Sequence, residues 1–339
     1  MSSVFWRIFS ISILGLFLGG WAGTAAAAEW ANPDLLVSPE TVKENINKAD
    51  WVVVDCRDLK DYVKGHIPGA ISLGKRCKKA LRDATARVFR DTSKYEKILG
   101  KAGIGNDTHV VFYHGDIKTL TDATVGFWIL EYLGHDKVHV LNGGLDAWRK
   151  AGNRLDNKLV KKSPATFKVN VVPSRYASTD EILQIAAGEA KSTQLIDSRT
   201  KGEFTGKTMK ALRGGHIPNV TMNASHLDTL LQKEDPKSGK MVATGYLDPD
   251  AANKAFGHLD KSQRTIGYCQ TGTRSTMTYL QFRLMGFEDP ANWDESWRVY
   301  GSQVAYPVAG EQWYNFGKIN KQIKKLEKKV KTLEAAAKT

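Results

Sequence analysis

Cysteine is scarce, with 3 in 339 residues, which excludes a small disulfide-stapled scaffold. Proline is sparse too, at 10, which excludes a collagen. After the N-terminal apolar run Ile8 to Leu18 there is no other long one, so no interior segment reads as a membrane span. No stripe of basic and aromatic residues is present, and no nucleic-acid partner is expected. What remains, 42% hydrophobic and 25% charged, excludes a disordered polyelectrolyte. At roughly 100–200 residues per domain, the length points to two domains, each able to bury its own core.

The first 28 residues read as a secretory signal: Arg7, the apolar stretch Ile8 to Leu18, then small residues Ala25 to Ala28 before a cleavage point at Glu29. The apolar stretch is shorter than the about 20 residues that a bilayer span needs, which disfavours the competing reading, an uncleaved N-terminal anchor. The expectation is an exported protein, periplasmic or extracellular. The last 22 residues, Lys318 to Thr339, hold 8 Lys and 2 Glu. Within them Ile319, Ile323, Leu326, Val330 and Leu333 form an a/d seam on a helix. A self-associating helix, a basic helix on an anionic membrane surface and a plain solvated helix all fit that pattern. The body between the two ends keeps a net charge of +6, which suits small anionic substrates.

The sequence repeats itself. VVVDCRD at 52–58 is similar to QLIDSRT at 194–200, GHIPGA at 65–70 to GHIPNV at 215–220, and HVVFYHG at 109–115 to RTIGYCQ at 264–270. LNGGLDAW ends at Trp148 and NWDESW at Trp297. Order is kept and the offset stays within 142 to 155 residues, as two copies of one unit require. Each copy reads as α/β. Trp51 to Asp55, His109 to Tyr113 and Lys137 to Leu141 look like buried strands. Val125, Trp128, Ile129 and Tyr132 form a helical stripe, and Met277, Leu280 and Leu284 its counterpart. Strands alternating with helices predict a mainly parallel sheet with helices on both faces in each copy. The domains are expected at 33–152 and 176–310, joined by the polar connector 153–175 and followed by the basic helix 318–339.

The chemistry centres on Cys269, which stands between a strand and a helix in Cys269-Gln270-Thr271-Gly272-Thr273-Arg274-Ser275. Gly272 frees the backbone to curl. The helix start offers N–H donors and partial positive charge, and Arg274 adds a full one. A sulfur so placed is expected to be an exposed nucleophile with a depressed pKa. Asp197 and Arg199 are expected to shape the loop from behind, with Arg199 pairing a carboxylate such as Glu203. His216 reads as a turn residue, Trp148 and Trp297 as core anchors, and Asn292 to Glu295 as a pocket rim. Cys56 and Cys77 could form a disulfide in an oxidising compartment or stay reduced and buried.

The Asp-x-Arg pairs (Asp55, Arg57; Asp197, Arg199), the two Gly-His-Ile-Pro segments, the Cys269 loop and the closing Trp motifs together resemble the rhodanese family in its tandem two-domain form. The resemblance spans nearly all of residues 33–310. It implies two rhodanese-like α/β domains and transfer of a sulfane sulfur through a cysteine persulfide on Cys269, with no metal or organic cofactor. The implied partners are a small anionic sulfur donor such as thiosulfate and a thiophilic acceptor, cyanide or a thiol. Gln270, Thr271, Gly272, Thr273, Arg274 and Ser275 would hold the donor. His114 replaces the nucleophile in the first copy, so that domain is expected to be silent and to wall the cleft. Four residues separate Cys269 from Arg274, whereas related phosphatases have five, which argues for sulfur over phosphate. Glu203 stands where relatives often carry a basic residue, so cationic help would fall to Arg274, Arg213 or Lys210. A 3-mercaptopyruvate donor, or a role as an exported persulfide carrier or assembly partner docking through the basic tail, are the competing readings.

Overall fold

The structure, a computed structural model, describes residues 28–337. The expected signal segment, save Ala28, and the last two tail residues lie outside that range. The N-terminal copy contains β1 (Leu36–Val37), β2 (Trp51–Asp55), β3 (Ile71–Ser72), β4 (His109–Tyr113) and β5 (Val138–Leu141). They form one sheet in the order β1-β5-β4-β2-β3, and every pairing is parallel. All five residues of β2 are buried, the mark of a strand covered on both faces. β-branched side chains fill it because they fit a pleated, enclosed surface.

The C-terminal copy contributes β6 (Thr193–Asp197), β7 (Arg213–His216), β8 (Met222–Asn223), β9 (Leu230–Glu234), β10 (Met241–Leu247), β11 (Arg264–Tyr268), β12 (Pro290–Asn292) and β13 (Ala309–Trp313). Its parallel sheet runs β12-β11-β6-β8. A bridge from Tyr176 to Asn292 stands where β1 meets β5 in the first copy. The duplication extends to caps. Ser38 accepts the Thr41 amide and Ser178 the Glu181 amide at the start of each copy's first helix, satisfying donors that a helix start leaves open.

A helix pair and a hairpin are among the features that join the copies. Helix Leu120–Tyr132 follows β4, its equivalent Ser275–Met285 follows β11, and the two pack against each other. Val125, Trp128 and Leu130 share one buried cluster with Met277, Leu280 and Leu284. Across this seam Glu131 takes a hydrogen bond from Tyr279 and pairs with Arg283 at 3.0 Å. The second feature is the β9–β10 hairpin, which reaches from the C-terminal copy onto the other. Leu247 and Asn142 exchange two hydrogen bonds, 2.9 and 3.1 Å, and Tyr246 packs on Gly143. The connector 153–175 is strapped to the first domain rather than free. Asn170 N–H meets Leu133 O at 3.0 Å and Val172 N–H meets Tyr132 O at 2.8 Å.

Cys56 and Cys77 form a disulfide. It ties the end of β2 to the short helix Cys77–Ala80. After β13 the chain turns at Asn315, which caps Lys318 N–H, into the helix Phe316–Ala336. No residue of that helix is buried. Among the described residues no helix is long and apolar enough to cross a membrane.

Candidate active site

Cys269 lies directly after β11, at the C-terminal edge of the parallel sheet, where loops of open α/β sheets gather binding groups. The loop that follows is fixed from behind by Ser296. Its Oγ accepts the amides of Cys269 (3.1 Å) and Gly272 (3.0 Å) and donates to Trp293 O (2.7 Å). Ser296 holds φ at +51° to do so. Trp297 N–H and Arg298 N–H reach the carbonyls of Cys269 and Gln270 at 3.0 and 2.9 Å. Gly272 has φ +64°, and a Cβ there would lie 2.6 Å from the Asp294 backbone, so no side chain fits.

These contacts divide the loop amides. Those of Cys269 and Gly272 serve Ser296, while those of Thr271 and Ser275 serve the sulfur. Burial pushes the Cys269 thiol up, but the Arg274 charge, the Thr271 and Ser275 amides and the Ser275 hydroxyl hold it below its ordinary value. The sulfur is not the exposed nucleophile that the small polar loop suggested: Cys269 is 0% exposed. Thr271, Thr273 and Arg274 reach open space instead. They line a cleft of about 1540 Å³ whose opposite wall carries Lys60, Lys75, Lys78, Lys79 and Lys94 of the N-terminal copy. That copy therefore walls the cleft, and the wall is basic.

Arg274 turns to Glu203 through a bidentate pair, 2.7 and 2.8 Å. Burial opposes charge on Glu203, yet Arg274 and the Thr200 backbone and hydroxyl hold its carboxyl well below the usual range. Glu203 closes a capping box with Thr200 and meets Lys210 at 3.2 Å. The expected Arg199–Glu203 pair is absent. Arg199 instead binds Asp197 two residues away, at 2.6 Å. It also donates to Gly215 O at 2.8 Å and lies over the Trp297 ring at 4.3 Å. Tyr268 OH donates to the same Asp197 carboxylate at 2.6 Å. The first copy repeats this with Arg57, Asp55, Gly65 and Tyr113. Asp197 and Arg199 thus brace the strand ends beneath the loop.

Arg213 supplies no charge to the loop. It is buried against Glu311 at 2.7 Å and Tyr306 O at 3.1 Å, held by the antiparallel β7–β13 pair. Gln270 donates to Lys210 O at 2.8 Å. Ser275 donates to Asn292 at 2.5 Å, and Asn292 in turn to Gly272 O at 3.2 Å. Asn292 and Asp294 therefore back the loop instead of rimming the pocket. His216 donates to Phe204 O at 3.1 Å and stacks on its ring, a turn residue. Trp148 and Trp297 are buried in their respective cores. His114 occupies the first copy's equivalent of Cys269. It is fully buried under the hairpin beside Gly245, and burial lowers its pKa to about 4.

Sequence reading missed Ser296 and the pair Arg82–Asp294. Arg82 comes from the N-terminal copy, is fully buried, pairs with Asp294 at 2.8 Å and donates to Gly272 O at 3.0 Å and Thr273 Oγ1 at 2.9 Å. Burial pushes Asp294 up to about 6 despite Arg82. Only folding brings residues so far apart in sequence together.

Two parallel α/β repeats with one cysteine loop at a sheet edge define a tandem-repeat protein with a single candidate centre. The Rhodanese-like domain family matches residues 38–151 and 179–303, and the chain belongs to the rhodanese family. A thiosulfate sulfurtransferase of Corynebacterium glutamicum is 32% identical over 296 residues, covering 84% of this chain and 93% of its own. A Mycobacterium leprae protein with a provisional thiosulfate sulfurtransferase name is 33% identical, covering 82% and 98%. Among solved structures, the 3-mercaptopyruvate sulfotransferase SseA of Escherichia coli superposes with TM-score 0.65 at 22% identity, over 78% of this chain and 98% of that one. At that identity the likeness is one of fold.

Proposed function

We propose that the protein is a rhodanese-type sulfurtransferase that moves the outer sulfur of thiosulfate to cyanide or a thiol through a persulfide on Cys269. The observation that carries the reading is the placement of Cys269 at the end of a parallel strand, where Arg274 and the Thr271 and Ser275 amides face the sulfur and hold its thiol below the ordinary pKa although it is buried. The names of the relatives support the same class. In the first half-reaction the thiolate attacks the sulfane sulfur, a new S–S bond forms, the donor S–S bond breaks, and sulfite leaves with that electron pair. In the second, cyanide attacks the terminal sulfur and leaves as thiocyanate, returning the thiolate. Arg274, Thr271 and Thr273 meet the donor, and the lysine wall draws anions into the cleft. Because Cys269 is buried, the loop must open toward the cleft for the donor to reach it. We assign the protein to an exported, oxidising compartment, a reading supported by the buried Cys56–Cys77 disulfide.

Intact mass tests this directly. Thiosulfate should add one sulfur atom to the chain, cyanide should remove it, and Cys269→Ser should never gain it. Equal thiocyanate production by Cys269→Ser and wild type would refute the assignment.

A further inference from the structure

The helix Phe316–Ala336 leaves the body with an apolar seam that none of the described residues covers. Phe316, Ile323, Leu326, Val330 and Leu333 are 47% to 62% exposed. Their spacing places Phe316, Ile323 and Val330 at a positions and Ile319, Leu326 and Leu333 at d positions of one heptad frame. We propose that this helix pairs with the same helix of a second copy of the chain, as a parallel two-stranded coiled coil.

Three observations select that occupant. β-branched Ile323 and Val330 at a, with Leu326 and Leu333 at d, is the core composition that favours two parallel strands. The flanks agree. In a parallel pair, Lys329 at g faces Glu334 at e of the partner helix, and Gln322 faces Glu327. An antiparallel pair would set the glutamates at e against each other. Lastly, Lys318, Lys321, Lys324, Lys325, Lys328 and Lys331 all fall at b, c or f, on the outside of such a pair, so they remain in water.

The same flanks argue against a lipid surface. A helix lying on anionic headgroups needs basic residues beside its apolar stripe. Here Glu327 and Glu334 border one side of it and would meet the headgroup charge. Salt separates the two occupants as well. Screening relieves repulsion between two net-positive helices and tightens their pairing, whereas it weakens adsorption to anionic lipid.

Sedimentation equilibrium of the purified full chain tests the pairing. The expected result is a monomer–dimer equilibrium that shifts toward dimer at higher salt. Leu326→Lys should give a monomer at every salt concentration while its turnover with thiosulfate and cyanide stays at the wild-type value. Orientation is read by oxidising Leu333→Cys in a Cys269→Ser background. Parallel helices bring the two d-position thiols together, and a covalent dimer should form. A full chain that stays monomeric, or an engineered thiol that fails to cross-link, overturns the proposal. So does adsorption of the helix to phosphatidylglycerol vesicles that Leu326→Lys abolishes while the chain in solution is monomeric. The sedimentation, cross-linking and vesicle readouts do not require sulfur transfer, so their failure leaves the persulfide reading standing.

Discussion

Arg274 and Glu203 meet through two parallel hydrogen bonds, 2.7 and 2.8 Å, at the mouth of the Cys269 loop. The carboxylate offsets the full positive charge of Arg274, which acts directly on the sulfur. Fork-to-fork geometry also fixes the guanidinium in place. The sulfur is therefore served by an oriented but partly neutralised cation.

Replacing Glu203→Gln should release that charge. The Cys269 thiol should ionise at lower pH, and KM for thiosulfate should fall on the order of threefold to tenfold, the range that one charge-assisted contact commands. Stability should fall by about 1–3 kcal/mol, since the variant weakens both the ion pair and the Thr200 capping box. Alkylation rate against pH, steady-state kinetics and urea unfolding read the three effects. A rise in KM, or an alkylation profile displaced to higher pH, would show that Glu203 positions Arg274 rather than neutralising it.

Ser296 carries a different load. Its hydroxyl is the acceptor for the amides of Cys269 and Gly272, and Ser296→Ala leaves both buried and unmet. The expected loss is about 2 kcal/mol, the usual cost of unsatisfied buried donors. Turnover should drop at least tenfold, because the Thr271 and Ser275 amides lose their aim at the sulfur. Ser296→Gly separates hydrogen bonding from backbone strain, since glycine accepts the positive φ at no cost. It should be as inactive as the alanine variant. Recovery of wild-type turnover in the glycine variant would assign the role of Ser296 to backbone shape alone.

How far the sequence carried these conclusions depended on distance along the chain. Asp55–Arg57 and Asp197–Arg199 are two residues apart, follow strands and recur in both copies, so the repeat and its braces were visible. The strands and the helical stripe at Val125 to Tyr132 were visible for the same reason, as short-range periodicity. The Cys269 loop was legible as a cradle but not as a buried one. Its small polar residues read as exposed, whereas Arg82 of the other copy closes on it and Asp294 backs it. Ser296 and Arg82 act through contacts made only on folding, and no local spacing marks them. The β9–β10 hairpin was equally hidden. Its strands carry few buried residues, and its purpose, covering His114, is a relation between domains.

The disulfide holds the lysine wall. Cys56 directly follows β2, and Cys77 opens the helix whose Lys78 and Lys79 line the cleft. Cys56→Ser/Cys77→Ser should lower stability by about 3 kcal/mol, as expected when a loop of this size is no longer closed in the unfolded chain. KM for thiosulfate should rise several-fold while kcat is spared, because the wall collects anions but does not touch the sulfur. Calorimetry and steady-state kinetics check both. An unchanged melting temperature would mean that the cross-link adds nothing to the folded state.

Acid should loosen the seam at which the hairpin covers His114. The ring is fully buried, and burial lowers its pKa from 6.5 to about 4, so the folded chain holds it neutral while the unfolded chain binds a proton. Unfolding then takes up protons between these two values, and stability falls as pH drops from about 6.5 toward 4. His114 alone contributes roughly 3 kcal/mol to that decline, at 1.36 kcal/mol per unit. Burial also lowers the pKa of His135, His139 and His226, which act in the same direction. His114→Leu removes one share only, so its stability-against-pH curve should be flatter than that of wild type across this window and parallel to it above pH 7. Urea unfolding at a series of pH values, in both proteins, measures the difference. Parallel curves throughout would mean that His114 is solvated in the folded chain and that the hairpin does not seal the first copy's vacant centre.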